Sequence, residues 1–559
     1  MQRLLPLFVL FCACASRPRE EAGSRADLLL VNARIVTLDE AVPEARALAI
    51  RDGRVLAAGS EAELARYVDA HTQRLDLRGA LAVPGLIDAH AHLWGIGKMK
   101  LELDLRDARS WEEICERVAR AARERPKGEW IEGRGWHQEK WQHAPADALD
   151  GWPTKQGLDR AAPDHPVVLR HASGHASIVN SKALELAGVA ALSSDPPGGK
   201  ILRDAQGAPT GVLNEEAQSL AGGAAAHDPA ELVQLAAQEC LSKGLTSLQD
   251  AGSTLEQAAL LRALAERGEL PLRLWVMLGE PDEALRGKLE AARTIGAGDG
   301  FLTVRAIKRY MDGALGTRGA WLLEPYSDLP STSGLPATSP EALQQSAELA
   351  RASGFQLCVH AIGDRGNREV LDTCERVLGP RAREKDLRWR IEHAQHIDPA
   401  DVPRFARLGV IASMQGIHCT SDGPWVPQRL GEERAQQGAY VWRSLIDAGA
   451  VVANGTDAPV EDVDPLACFR ASVTRRMADG RFFHPEQRMT RLEALESYTL
   501  WPAYAAFEED VKGSLAPGKY ADVTVIEGDI LELPDAELEK AHVVMTIVGG
   551  KVAWKAAGR

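Results

Sequence analysis

"AVPGLIDAHAHLWG", residues 82–95, begins as an apolar run and ends in two histidines two residues apart, a tryptophan and a glycine. The run follows the turn signal Arg78-Gly79 and reads as a buried strand. Side chains at i and i+2 of a strand share a face, so His90 and His92 point the same way, with Asp88 on the same side. Two readings stand open here: a pair of metal ligands, or core histidines bonded to backbone carbonyls. The choice depends on what ends the other strands of the chain.

Eight apolar strand candidates can be read: Val83–Asp88, Leu245–Gln249, Leu272–Leu278, Thr303–Tyr310, Gln356–His360, Trp389–His393, Gly409–Met414 and Ala450–Asn454. Amphipathic stretches such as PEALQQSAELARASG (340–354) and RGNREVLDTCERVLG (365–379) lie between them. Eight βα units predict an α/β fold, a (β/α)8 barrel of the TIM type, with a doubly wound open sheet as the rival. The gap between the first two strands is too long for one helix and predicts an inserted subdomain at about 94–226. Both ends of the chain are different: DLLLVNARIVTLD (27–39) and HVVMTIVGGKVAWK (542–555) are short apolar runs separated by turns. They predict one small β-sandwich assembled from residues 27–82 and 512–559, flanking a barrel of residues 83–511.

Residues 1–15 differ from everything after them, with one Arg, an apolar run from Leu4 to Ala13 and then small residues. That is the layout of a secretory signal peptide, and the run is too short to span a bilayer. Ala13-Cys14-Ala15 fits simple cleavage, and a small residue before Cys14 also fits a bacterial lipoprotein signal; either way an exported protein is predicted. The remaining six cysteines are scattered without a C-x-x-C pair and read as buried free thiols. A net charge of -14 over 559 residues argues against a nucleic-acid partner, which calls for a basic face.

A barrel of this kind carries its site at the C-terminal ends of the strands. The first ends in His90 and His92, the fourth carries Lys308, the fifth ends in His360, the sixth in His393, and the eighth runs into Asp457. The second and seventh offer Asp250 and Gln415. Each histidine alone has a structural explanation, but four histidines and an aspartate at one end of a barrel make a joint accident improbable. Imidazole and carboxylate without thiolate suit Zn²⁺, with Fe²⁺, Mn²⁺ and Ni²⁺ as rivals. No G-x-S-x-G elbow, Walker loop or dinucleotide fingerprint competes.

The order PGLIDAHAHL, IKRYMDGALGTRGA, VHAIGDRGN, RIEHAQHI and NGTDAPVED resembles the amidohydrolase superfamily, and its amidohydrolase-3 branch in particular. The resemblance runs from Asp27 to the C-terminus and implies a metal-dependent hydrolase of small molecules. It implies that His90, His92 and Asp457 bind one divalent cation, and His360 and His393 a second. Lys308 matches the lysine that relatives carboxylate on its amine to bridge two cations. An amine kept neutral by burial can capture carbon dioxide; an ordinary ion pair is the competing reading of this lysine. His396 is a secondary candidate, on the opposite face if the strand continues.

The site so read implies water activated by the cation, Asp457 as general acid–base, and hydrolysis of a non-peptide C–N bond. Ester or lactone hydrolysis and a mononuclear deaminase use the same machinery. A non-catalytic binding protein on this fold would have lost ligands, and here all six positions are filled. Asp312, Gly313, Arg318 and Asp364 follow the fourth and fifth strands as candidate substrate-binding residues, Arg318 as a carboxylate grip or an internal salt bridge. Trp136 and His175 resemble family positions that cover the pocket. Six of the thirteen tryptophans fall between Trp94 and Trp152, as an aromatic lid or as the insertion's own core.

Overall fold

Strand formation stops and restarts at Gly85. The computed structural model describes residues 25–558 apart from 150, 173, 175, 190, 191, 193, 197, 198, 222–226 and 380. The signal-peptide reading of residues 1–15 with Cys14, and the pocket-covering reading of His175, therefore lie outside the described residues. Sequence periodicity makes Val83–Asp88 a single strand, but the chain forms two. Leu81–Pro84 joins a sheet with Arg34–Val36 and Val523–Glu527, whereas Leu86–Ala91 enters the barrel. Gly85 donates its N–H to the Asp522 carbonyl at 2.8 Å. A Cβ at Gly85 would sit 2.2 Å from Thr246 Oγ1, so only glycine lets the two sheets meet this closely.

Eight parallel strands follow in chain order: β1 (Leu86–Ala91), β2 (Leu245–Ser253), β3 (Arg273–Leu278), β4 (Leu302–Tyr310), β5 (Gln356–Ala361), β6 (Arg390–His393), β7 (Ile411–Gln415) and β8 (Val452–Gly455). Each pairs with the next, so the expected (β/α)8 barrel is present. The seam between β8 and β1 closes by specific bonds rather than a ladder. Asp457 N donates to His90 O at 2.7 Å, His92 N to Ala458 O at 2.8 Å, and the Thr456 hydroxyl to Asp88 Oδ2 at 2.6 Å. Gly455 allows this approach, since a Cβ there would lie 2.5 Å from His90 N.

The N-terminal end of the barrel is sealed by the segment after the last strand. Gln249 and Gln356 donate side-chain N–H groups to the Pro502 and Ala505 carbonyls, at 2.9 and 3.0 Å. The β-sandwich docks at the same end. Its two sheets, one of four strands within Leu28–Asp76 and one of six that includes Val523–Glu527 and His542–Val548, enclose Leu30, Ile35, Leu48, Val523, Val525 and Ile547. Between β1 and β2 the insertion builds its own six-stranded sheet from Leu103–Asp104 to Pro209–Glu215, covered by helix Trp111–Glu124. Cys115, Cys240, Cys358, Cys374, Cys419 and Cys468 are all free thiols, and all but Cys115 are buried.

A buried ion pair ties the sandwich to the barrel. Arg273, at the start of β3 and 1 % exposed, meets Asp522 with Nε–Oδ2 at 2.7 Å, and its guanidinium lies 3.7 Å from the Tyr520 ring centre. Removing one partner of a buried pair leaves an uncompensated charge. Asp522→Ala should therefore lose about 3–5 kcal/mol, seen as a lower denaturant midpoint, and Asp522→Leu combined with Arg273→Met should recover most of it.

Candidate active site

Inside the barrel a polar network replaces the usual apolar filling. Arg390 and Glu392 share a face of β6 by strand period, and both side chains are fully buried. Arg390 donates to Gln249, to Ala89 O at 2.6 Å, to the Ser413 hydroxyl at 2.7 Å and to Glu392 Oε2 at 3.0 Å. Burial pushes the Glu392 carboxyl up, but Arg390, His90 and Lys308 together outweigh it and hold the group ionised, near 2. Glu392 in turn bonds His90 Nδ1 at 2.5 Å. A carboxylate only accepts, so Nδ1 carries the proton and His90 Nε2 keeps a free lone pair.

The next residue, His393, would face away if β6 stayed extended. Its backbone is instead left-handed, with φ 75°, and Ala394 follows at φ 46°. That turn swings the imidazole back to the cluster, with its ring centre 4.8 Å from His90 and 4.4 Å from His360. Gln415, on β7, accepts from His393 Nδ1 at 2.9 Å, which again leaves Nε2 free. Asp457 also has a left-handed backbone, φ 57°, directly after β8. Such conformations cost about 1–3 kcal/mol each at non-glycine residues and persist only when the surroundings hold them.

Asp457 is where the cluster converges. His92 Nε2 is 3.1 Å and His90 Nε2 3.6 Å from its Oδ1, and His418 Nε2 is 4.0 Å from its Oδ2. Burial pushes this carboxyl up, but the His92 hydrogen bond and the surrounding imidazoles pull it well below the usual carboxylate range. The histidines shift the other way: burial first, and Lys308 second, hold His90 near 4 and His360 near 3, so both are neutral at pH 7. Lys308 itself is 1 % exposed on β4, and its amine has no hydrogen-bond partner among the described residues. His90 Nε2, His360 Nε2 and His418 Nε2 are likewise buried without a hydrogen bond. Among the described residues, two sets have ligand atoms within 4.8 Å of one another, His90 with His92 and Asp457, and His393 with His418 and Asp457. The structure thus brings the six residues read as a metal site to one end of the barrel.

The residues read as substrate-binding are placed otherwise. Asp312 spends both oxygens on backbone N–H groups of Trp321, Ile362 and Gly363, at 2.8–2.9 Å, and so builds the loop after β4. Gly313 closes that loop through Gly319 O at 3.1 Å. Arg318 pairs with Asp328 at 2.8 Å, the internal salt bridge rather than a free grip. Asp364 starts helix Asp364–Leu378 and accepts from Leu323 N at 2.8 Å. Trp136 has no exposed surface to offer a ligand. It donates its indole N–H to Leu169 O and packs with Trp141, Trp152 and His171, which makes these three tryptophans part of the insertion's core. His396 is buried against Tyr440, with ring centres 5.5 Å apart.

Sequence reasoning missed Arg390, Glu392, Gln395 and His418. The i, i+2 charged pair inside RIEH was a usable signal for the first two; His418, on a short helix after β7, had none.

Residues 73–553 match the amidohydrolase family, Amidohydro_3. The chain belongs to this family. As an amidohydrolase it is a hydrolase that acts on C–N bonds other than peptide bonds. It is 33% identical over 549 residues to the protein LONG AFTER FAR-RED 3 of Arabidopsis thaliana, covering 95% of this chain and 92% of that one. It is 28% identical over 547 residues to an N-substituted formamide deformylase of Arthrobacter pascens, covering 95% and 99%. The crystal structure of an uncharacterized metal-dependent hydrolase from Pyrococcus horikoshii superposes with a TM-score of 0.75 at 28% identity, over 91% of this chain and 99% of that one. The family and fold expected from the motif order are therefore present.

Groups that orient an imidazole through its second nitrogen typically tune cation affinity 10–100-fold. Gln415→Leu should weaken cation binding by about that factor in a competitive zinc titration, whereas His396→Phe should leave it unchanged.

Proposed function

We propose that this amidohydrolase depends on a divalent cation and hydrolyses a non-peptide, amide-type C–N bond of a small molecule. The observation that carries this reading is the convergence of buried nitrogens with no partner, His90 Nε2, His360 Nε2 and Lys308 Nζ, around an ionised Asp457. Each such group costs about 1–3 kcal/mol when left unsatisfied. A cation at that point removes the cost, and neutral imidazoles with free lone pairs are the form that binds it.

Nitrogen and carboxylate donors without thiolate favour Zn²⁺. His90, His92 and Asp457 would hold one ion, and His360 and His393 a second. Lys308 would join the ligands as a carbamate, formed when its amine, having given up a proton, takes up carbon dioxide. When bound, the cation supplies Lewis acidity and lowers the pKa of water. Glu392 and Gln415 keep the His90 and His393 rings in the ligand tautomer. Asp457 takes a proton from the attacking water and delivers it to the leaving nitrogen. The acyl C–N bond is thereby exchanged for C–O, and the products are a carboxylic acid and an amine. The Arthrobacter deformylase, whose name describes such a reaction on substituted formamides, supports N-acyl and N-formyl compounds as the first substrates to test. Residues 1–20 support the further proposal that the mature protein works outside the cytoplasm, secreted or held through lipid on Cys14.

Elemental analysis paired with a hydrolysis screen of N-acyl, N-formyl and cyclic amides tests the reading. The expected result is about two zinc ions per chain, turnover sensitive to chelators, and loss of turnover in His90→Ala and Asp457→Asn. Lys308→Ala should lower the metal content. Full metal loading with no turnover across the panel overturns the amide assignment.

A further inference from the structure

Three buried histidines in the cluster have their Nδ1 atom held by a neighbour, and the neighbours differ in kind. His90 faces a carboxylate and His393 an amide oxygen, so in both the proton sits on Nδ1. His418 faces the opposite group: the side-chain nitrogen of Gln395 lies 3.0 Å from its Nδ1. An amide nitrogen only donates, so His418 Nδ1 accepts and the ring proton sits on Nε2. That Nε2–H is buried, has no hydrogen-bond partner among the described residues, and lies 4.0 Å from Asp457 Oδ2.

We propose that His418 is a catalytic residue that donates its Nε2–H to the carbonyl oxygen of the substrate as that oxygen gains charge, with Gln395 as the positioning residue that keeps the proton there. The proposal rests on the amide-hydrolysis reading above and adds to it the group that stabilises the oxyanion. Four observations favour this role. The ring is held in place: His418 is 6 % exposed, and its plane lies within 12° of that of His393, with ring centres 6.4 Å apart. Its free N–H lies beside Asp457, the group that handles the proton, so both ends of the reacting amide are served from one point. The segment that carries the donor is anchored before substrate arrives, because Gln395 is itself 4 % exposed and its backbone carbonyl accepts from the Tyr440 N–H at 2.7 Å. Finally, the Arg318 guanidinium is already committed to Asp328, which removes one rival donor on the loops. A preorganised donor in a site shielded from water stabilises developing charge far more than the same bond does in water.

The competing role for His418 is a cation ligand, since its Nε2, His393 and Asp457 form one of the tight groups. The two roles need opposite tautomers and are separable by experiment. In zinc-loaded protein labelled with ¹⁵N-histidine, the signal that vanishes in His418→Phe should be an Nε2-protonated ring. The zinc content of that variant should equal the wild-type value. On any substrate found in the screen, kcat should fall about 10²–10³-fold with little change in KM, and His418→Gln, which restores an N–H near the Nε2 position, should recover at least tenfold of it. Gln395→Glu places acceptors against Nδ1 and should shift the labelled ring to the Nδ1-protonated form and lower kcat while zinc stays bound. An Nδ1-protonated ring in the wild type, or loss of zinc in His418→Phe, overturns the proposal. If no amide is hydrolysed, the functional reading fails, and the tautomer and zinc measurements still decide between donor and ligand for His418.

Discussion

A buried guanidinium has to be neutralised, and the barrel interior is organised around the way Arg390 is. With no solvent to screen it, Arg390 needs an ionised partner and full hydrogen bonding. Glu392, Gln249, Ser413 and the Ala89 carbonyl supply both, from β6, β2, β7 and β1. The same carboxylate then sets the proton on His90 Nδ1 and frees the other nitrogen. One charge pair therefore locks four strands together and fixes the state of a histidine one layer above. The stabilisation from such a pair is small once desolvation is counted, but its geometric consequence is large, because any other arrangement leaves a charge unpaired.

The mouth of the barrel trades backbone comfort for side-chain convergence. His393 and Asp457 adopt left-handed backbones that strand propensity disfavours, and both carry side chains that must reach a common point. The strain is held by neighbours: Ala394 N bonds Ala361 O, and Asp457 N bonds His90 O. Beneath them, the helix Leu500–Ala505 and the β-sandwich cover the opposite end. Glycines at 85 and 455 let these layers approach without a side chain in the way.

Much of this was legible from residues alone. Strand period and the order of His90, His92, Lys308, His360, His393 and Asp457 along alternating βα units were enough for the barrel and for one polar end, because periodicity is a local property and strand ends follow from it. The single strand read across Val83–Asp88 failed because apolar composition continues through Gly85, while the break is made by contact with Thr246, 161 positions on. For the loop residues Asp312, Arg318 and Asp364 the sequence leaves substrate contact and internal pairing equally open, because polarity in a loop looks the same whether or not a partner waits elsewhere in the chain. The tryptophan cluster likewise left lid and insertion core open, and packing places Trp136 in the core.

The sequence by itself determined the eightfold alternation, the family, and which side chains stand at strand ends, since all three are written in residue type and spacing. Only the tertiary structure decided which imidazole nitrogen carries its proton. That choice depends on whether an oxygen or an amide nitrogen lies three ångströms away, as Glu392 and Gln415 do for His90 and His393, and Gln395 for His418. Glu392 and Gln415 are supplied by other strands, hundreds of residues away or a strand apart, and no local pattern encodes such a meeting.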